Sequence, residues 1–145
     1  MDYSVEQREE VLNRAYERGF FYEGIYLGCA QAVVGAIGEI FDIDETAFKV
    51  AAGFSGGIAD EAKGTCGAFT GCIIVLGYFF GRDFEHITMS GSKFKCRELI
   101  RCLRCKFHET YVGENCWQVQ KSVFGGKYYN MGDPAEKVLF EEAGA

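Results

Sequence analysis

Apolar and small residues recur three and four positions apart along almost the whole chain, the spacing of one face of an α-helix. Ser4 and Gln7 form a capping box, and Val5, Leu12, Ala15, Tyr16 and Gly19 fall on one face of a first helix. A second helix spans Gly28 to Phe41. It carries Cys29, Val33, Ile37 and Ile40 on one stripe and the small residues Gly28, Ala32 and Gly35 on the next. Asp42 and Glu45 open a short third helix that runs through Ala52, and the nearly continuous apolar run from Thr65 to Phe80 is a fourth. A fifth, Ser92 to Val112, is basic on its outer face and stopped by Gly113. Asn115 to Phe124 forms a sixth, and Asp133, Pro134 and Glu136 are the N-cap, first-turn proline and capping acid of a seventh. No sustained period-two alternation appears anywhere. The pattern predicts an all-α fold, a compact bundle of six to seven helices in a single domain over residues 1–145.

The stretch from Gly53 to Gly81 is where the chemistry concentrates. A glycine-rich loop (Gly53, Gly56, Gly57, Gly64) runs into the fourth helix, and Thr65 is a good N-cap that puts Cys66 at the first helical position. Free amides and partial positive charge at a helix start stabilise a thiolate and lower its pKa. Cys66 is therefore the leading candidate for a reactive or metal-binding group; the plain alternative is a small buried residue opening a core helix. Gly67, Ala68 and Gly71 leave a bare patch against which a helix backbone or a cofactor can come close. Packing of that patch on the Gly28–Ala32–Gly35 stripe would bring Cys29 and Cys66 together. Gly67 and Gly71, with Gly56 and Gly57 of the loop, are the candidate cofactor-binding positions. No GxGxxG follows a strand and no GK[ST] occurs, so the loop is no nucleotide fingerprint.

Composition narrows the function classes. A net charge of −6 argues against nucleic acid and anionic membranes as partners. Asp2 to Arg18 is charged and amphipathic, unlike a signal peptide, and residues 65–80 are short for a membrane span and interrupted by Gly67, Gly71 and Gly77. The expectation is a cytoplasmic protein without a span. Seven cysteines in such a chain point to metal binding or thiol chemistry rather than to a disulfide framework.

The cysteines divide into groups. Cys29, Cys66 and Cys116 each stand at or near a helix start, after Gly28, Thr65 and Asn115, and three such thiols can converge on one cluster or redox centre. Cys96, Cys102 and Cys105 share the fifth helix with His108. There the three-residue spacing of Cys102, Cys105 and His108 suits a contribution to a metal site, although a mid-helix CxxC lacks the helix-start position that makes such motifs reactive. Cys72 lies about 120° round the helix from Cys66, at roughly 100° per residue, and reads as core.

Beyond these local patterns, Cys66-Gly67-Ala68-Phe69-Thr70-Gly71 matches the CGAxxG motif of the C_GCAxxG_C_C redox-protein family. Cys29-Ala30-Gln31-Ala32-Val33 resembles its first cysteine segment, Ala51 to Gly57 its glycine loop, and Phe107 to Val119, with Cys116, the segment of its third cysteine. The resemblance covers roughly residues 20–145. It implies a small helical protein with four characteristic cysteines engaged in redox chemistry or Fe–S binding. In similar proteins a fourth cysteine follows a segment like Phe140 to Ala145; here Cys102 or Cys105, with Cys105 favoured as the closer to Cys116, is the expected supplement, as ligand or resolving thiol, and the alternative is an open position filled by water, a small thiol or a partner chain.

Two classes of function follow. In the first, Cys29, Cys66 and Cys116 ligate an Fe–S cluster or exchange electrons as thiols, with Cys66 and Cys29 the reacting pair and a redox protein as partner. In the second, the metal set Cys29, Cys66, Cys116 and Cys105 holds zinc or another soft metal without turnover, or the chain is an interaction module. Only His86 and His108 are available as imidazole bases, and neither is tied by sequence to Cys66, so enzymatic turnover is left open. A homo-oligomer in which cysteines of two subunits meet is also open, as is the reading in which all seven cysteines are inert.

Overall fold

A computed structural model describes residues 3–88 and 94–144. Among these the protein has seven α-helices and no strand, the all-α architecture that the hydrophobic pattern predicts. The helices are α1 (Val5–Tyr26), α2 (Cys29–Phe41), α3 (Glu45–Ala51), α4 (Gly67–Phe80), α5 (Phe94–Thr110), α6 (Cys116–Val123) and α7 (Pro134–Glu142). One antiparallel bridge, Thr65 to Asn115, stands outside them.

Local chemistry sets most boundaries. Ser4 Oγ accepts from the Gln7 amide at 3.2 Å while Gln7 Oε1 accepts from the Ser4 amide at 2.9 Å, closing the capping box of α1. Asp133 accepts from the amides of Ala135 and Glu136 at the start of α7, next to a first-turn proline. Three boundaries differ from the sequence reading. Asp44, not Asp42, caps α3, accepting from Thr46 and Ala47, because Asp42 is spent as the left-handed C-cap of α2 (φ 57°). Cys66 rather than Thr65 is the N-cap of α4, since the Thr65 backbone is engaged in the bridge to Asn115. Finally, α5 ends at Thr110, two residues short of Val112, and Ser92 and Lys93 at its expected start lie outside the described residues.

Helix α2 is the centre of the bundle, with α1, α3 and α4 packed around it and α5 laid on α4. Ala30, Val34 and Ala51 form its dry core, flanked by Ile43, Ala47, Phe54, Ile74 and Val75. Phe69, buried in α4, packs its ring 5.0 Å from that of Phe107 in α5. On the other side, Arg18 of α1 is clamped to Glu39 of α2 at 2.6 Å, and the Tyr22 hydroxyl also donates to Glu39. That pairing holds the Glu39 carboxyl at a pKa of about 2, below the usual carboxylate range. No helix among the described residues is long and apolar enough to cross a membrane.

The closest approach is between α2 and α4. A Cβ at Gly71 would stand 2.8 Å from the Ala30 carbonyl oxygen and 2.9 Å from Val33 Cβ, and one at Gly67 would run into the Cys29 sulfur. The bare patch of α4 thus meets the Cys29–Ala30–Val33 face of α2. The expected Gly28–Ala32–Gly35 stripe is turned elsewhere: Gly35 faces Phe48 and Tyr22, and Gly28 faces Ser55. One position of rotation about the helix axis separates the two faces. Gly71→Ala should therefore cost about 1–3 kcal/mol of stability, since backbone has to move to admit the methyl group, and should lower the melting temperature by several degrees. Gly77→Ala, on the same helix with open space at its Cβ position, should be neutral or stabilising by up to about 1 kcal/mol. Paired calorimetric scans of the two variants check this.

Candidate functional site

Three helix starts meet on one cavity. Cys29 opens α2, Cys66 caps α4 and Cys116 opens α6. All three line a cavity of about 220 Å³ with apolar walls from Leu27, Val119, Phe124 and Phe140. The Gly56 amide donates to the Cys29 sulfur at 3.3 Å, and a Cβ on Gly57 would lie 2.5 Å from Cys116 Cβ. Cys29 thus has Gly67, and Cys116 has Gly57, packed against it where no side chain fits.

The loop before α4 does the joining, through its backbone. The Cys66 amide donates to the Glu114 carbonyl at 2.7 Å, the Cys116 amide to Gly64 at 2.8 Å, and the Trp117 amide to Ala62 at 3.0 Å. These bonds fasten α6 to the loop and place Cys116 beside Cys66. The loop reaches this shape by running left-handed: Gly56, Gly57, Ile58, Ala59, Asp60 and Ala62 all have φ between 51° and 75°. For the non-glycine residues that conformation costs roughly 1–2 kcal/mol each. Cross-loop hydrogen bonds offset it: the Ala62 amide to the Gly56 carbonyl, Gly64 to Gly57 (both 2.8 Å), and Gly132 to Asp60 at 2.9 Å.

Across residues 27–138 the sequence matches the model of a protein family described as "Putative redox-active protein (C_GCAxxG_C_C)". The chain belongs to this family. No curated protein and no solved structure matches it. In this C_GCAxxG_C_C protein the CGAxxG motif is the segment that caps α4 with Cys66 and lays Gly67 and Gly71 against α2.

The electrostatics of the pocket run opposite to the expectation from helix starts. Burial pushes the Cys29 thiol up to about 12, against the opposing amide of Gly56, and the nearby Glu23 adds to the rise. Burial likewise raises Cys116 to about 11, against the Gln120 amide group. Cys66 is also raised. Its desolvation outweighs the amides of Phe69 and Ala68, and none of them closes a capping hydrogen bond on the sulfur. The helix-start argument fails on magnitude: the dipole acts, and removal from water acts more strongly.

Other expected site residues fall elsewhere. Cys105 and Cys102 are exposed on α5, outside the cavity lining, and His108 turns towards Glu114 at 3.4 Å. The supplementary ligand expected at Cys105 is therefore not brought to the other three. Cys72 is half-buried and outside the cavity lining, while Cys96 donates to the Leu76 carbonyl at 3.7 Å. Gly56 lines the cavity directly, whereas Gly57, Gly67 and Gly71 act by admitting close neighbours. Among the described residues, no three His, Cys, Asp or Glu side chains converge on one cation position. The three thiols are one protein donor short of a closed four-donor shell for zinc or an Fe–S cluster.

Three pocket residues escaped the sequence reading. Gln120 is buried and donates to Tyr129 O at 3.2 Å, Met131 Sδ at 3.2 Å and Cys116 Sγ at 3.4 Å, and its Oε1 accepts from the Tyr129 amide at 2.7 Å. It ties the loop after α6 to the cysteine. Met131 and Glu23 line the same cavity. Glu23 follows Gly19 by one turn on the otherwise apolar stripe of α1, so a carboxylate on an apolar face is the signal that could have found it.

In the reduced protein, limiting iodoacetamide at pH 7–8 should label the exposed Cys102 and Cys105 before Cys29, Cys66 or Cys116, because alkylation follows exposed thiolate. Labelling of Cys116 and Cys29 should climb with pH towards about 11 and about 12, where their thiolates form. Peptide mass spectrometry reads the order; Cys66 labelling first at neutral pH would reinstate the helix-start argument.

Proposed function

We propose that the protein carries out thiol–disulfide exchange at the cavity shared by Cys29, Cys66 and Cys116. The observation that supports this is the lining itself: three thiols from helix starts far apart in the sequence face one apolar space. Membership of a family described as redox-active agrees with it. Burial adds a physical reason. A protonated dithiol and a disulfide are both uncharged, so both suit surroundings that penalise a thiolate.

In the oxidising direction, one pocket thiol loses its proton and its sulfur attacks a disulfide. The attacked S–S bond breaks, and the leaving thiolate takes up a proton. A second pocket thiol then displaces the remaining half, which leaves as a thiol. Two electrons and two protons pass from the protein to the incoming disulfide, and a protein disulfide remains. A dithiol redox partner returns the pair to the reduced state by the reverse steps. Cys29 and Cys66 are the first pair, because the Cys29 sulfur lies against Gly67, the residue after Cys66. Cys116, held by Gln120, is the third thiol to which the disulfide can migrate.

Equilibrating the anaerobically purified chain in dithiol/disulfide buffers, then mapping linked peptides, tests the proposal. One intrachain disulfide joining two of Cys29, Cys66 and Cys116 is expected. Changing Cys29 and Cys66 to serine together should reduce its yield to below about a tenth, and Cys105→Ser should leave it unchanged. Isolation with stoichiometric iron and sulfide or with zinc, and no such disulfide in any buffer, would contradict it.

A further inference from the structure

Resting on the thiol-exchange reading, we propose that the oxidant taken by the pocket is a small disulfide of an aminothiol, whose ammonium group pairs with the Glu23 carboxylate while its S–S bond meets the cysteines. Three observations converge on this class. First, Glu23 Oε2 is buried without a hydrogen-bond partner, and the residue lines the same cavity as Cys29, Cys66 and Cys116. A buried carboxylate oxygen with no donor is costly to leave unmatched, and a bound ammonium supplies the missing donor. Second, the charge of the lining is acidic: Glu23, Asp60 and Glu141 face Lys137 alone. Third, a cavity of about 220 Å³ is smaller than the roughly 300–1,000 Å³ usual for drug-sized ligands, which limits the oxidant to a compact molecule.

The cation also answers the pocket's chemical difficulty. Its thiols are held protonated by burial, and among the described residues no ammonium or guanidinium other than Lys137 lines the cavity to stabilise a thiolate. An ammonium brought within about 4–6 Å lowers a neighbouring thiol by roughly one unit or more. That raises the thiolate fraction about tenfold, at the moment when the disulfide is present. Glu23 acts here as a binding residue. Burial and the nearby Asp60 raise its pKa, the Gly28 amide opposes them, and an ammonium partner would favour its charged form.

The balance is that of the exchange above. One pocket sulfur forms a bond to one sulfur of the aminothiol disulfide, and the first aminothiol leaves with a proton. A second pocket thiol displaces the other, so one protein disulfide forms and two aminothiols are released.

Three disulfides of similar size separate the outcomes: cystamine (two ammonium groups), bis(2-hydroxyethyl) disulfide (neutral) and 3,3′-dithiodipropionate (two carboxylates). With Cys102 and Cys105 changed to serine, stopped-flow or quenched mass spectrometry reads the rate of oxidation of the remaining pocket thiols. With each rate divided by that of the same disulfide with a small free thiol, which removes leaving-group differences, cystamine should react at least about tenfold faster than the neutral disulfide, with the dicarboxylate slowest, and added salt should narrow the spread. Glu23→Gln, which keeps the shape, should bring cystamine to within about threefold of the neutral compound, whose own rate should not fall, because the Glu23 charge no longer opposes the Cys29 thiolate. Equal rates for all three, or a cystamine preference that survives Glu23→Gln, would overturn the aminothiol proposal and leave thiol exchange standing. Failure of all three to oxidise the pocket cysteines would overturn both. The wild-type ranking reads the charge preference even if the Glu23 variant does not fold.

Discussion

The site exists because α4 lies on α2 with nothing between them. At Gly67 the space of a Cβ is taken by the Cys29 sulfur, and at Gly71 it is taken by the Ala30 carbonyl and Val33. Any side chain at either position separates the helices, and with them the cysteines at their N-terminal ends. The two glycines of the CGAxxG motif thus have a packing role that sets the chemistry. They bring two thiols together from segments that a loop, α3 and the rest of α2 separate in sequence.

The third thiol arrives by another route. No helix face carries Cys116 to the pocket; backbone hydrogen bonds from the left-handed loop to the start of α6 do so. Non-glycine residues in left-handed conformation cluster at functional sites when the surroundings over-determine them. Here the surroundings are the bridge of Thr65 to Asn115, the Cys66–Glu114 and Cys116–Gly64 bonds, and Gln120 bonded to both the cysteine and the Tyr129 backbone. The result is a pocket whose sulfurs are largely removed from water. A dry sulfur is a poor nucleophile until something lowers its pKa, which makes the identity of the incoming group part of the mechanism.

The helices were legible in the sequence because their signals are local: the Ser4–Gln7 box, Pro134 after Asp133, and the apolar period of α2. The gathering of cysteines at helix starts was legible for the same reason. Which face of α2 meets α4 was not, since the Cys29–Val33 stripe and the Gly28–Gly35 stripe are adjacent, and large side chains on α1 and α3 decide between them. The left-handed conformations between Gly56 and Ala62 were invisible, because Ile58, Ala59 and Ala62 carry no propensity for them and long-range bonds impose them. The sign of the thiol shifts also escaped. A helix start can be read from spacing, but the depth of burial that overrides it belongs to the assembled fold.

The central claim is that Cys29, Cys66 and Cys116 share one space. A trivalent phenylarsenical, which bonds two thiolates only when they are neighbours, probes this directly. In a chain with Cys102 and Cys105 changed to serine, removing the other close pair, one arsenical should bind per chain. Its affinity should fall sharply on Cys29→Ser or Cys66→Ser and stay unchanged on Cys72→Ser or Cys96→Ser. Binding that survives both pocket substitutions together, or that is lost with Cys72 or Cys96 instead, would contradict the account.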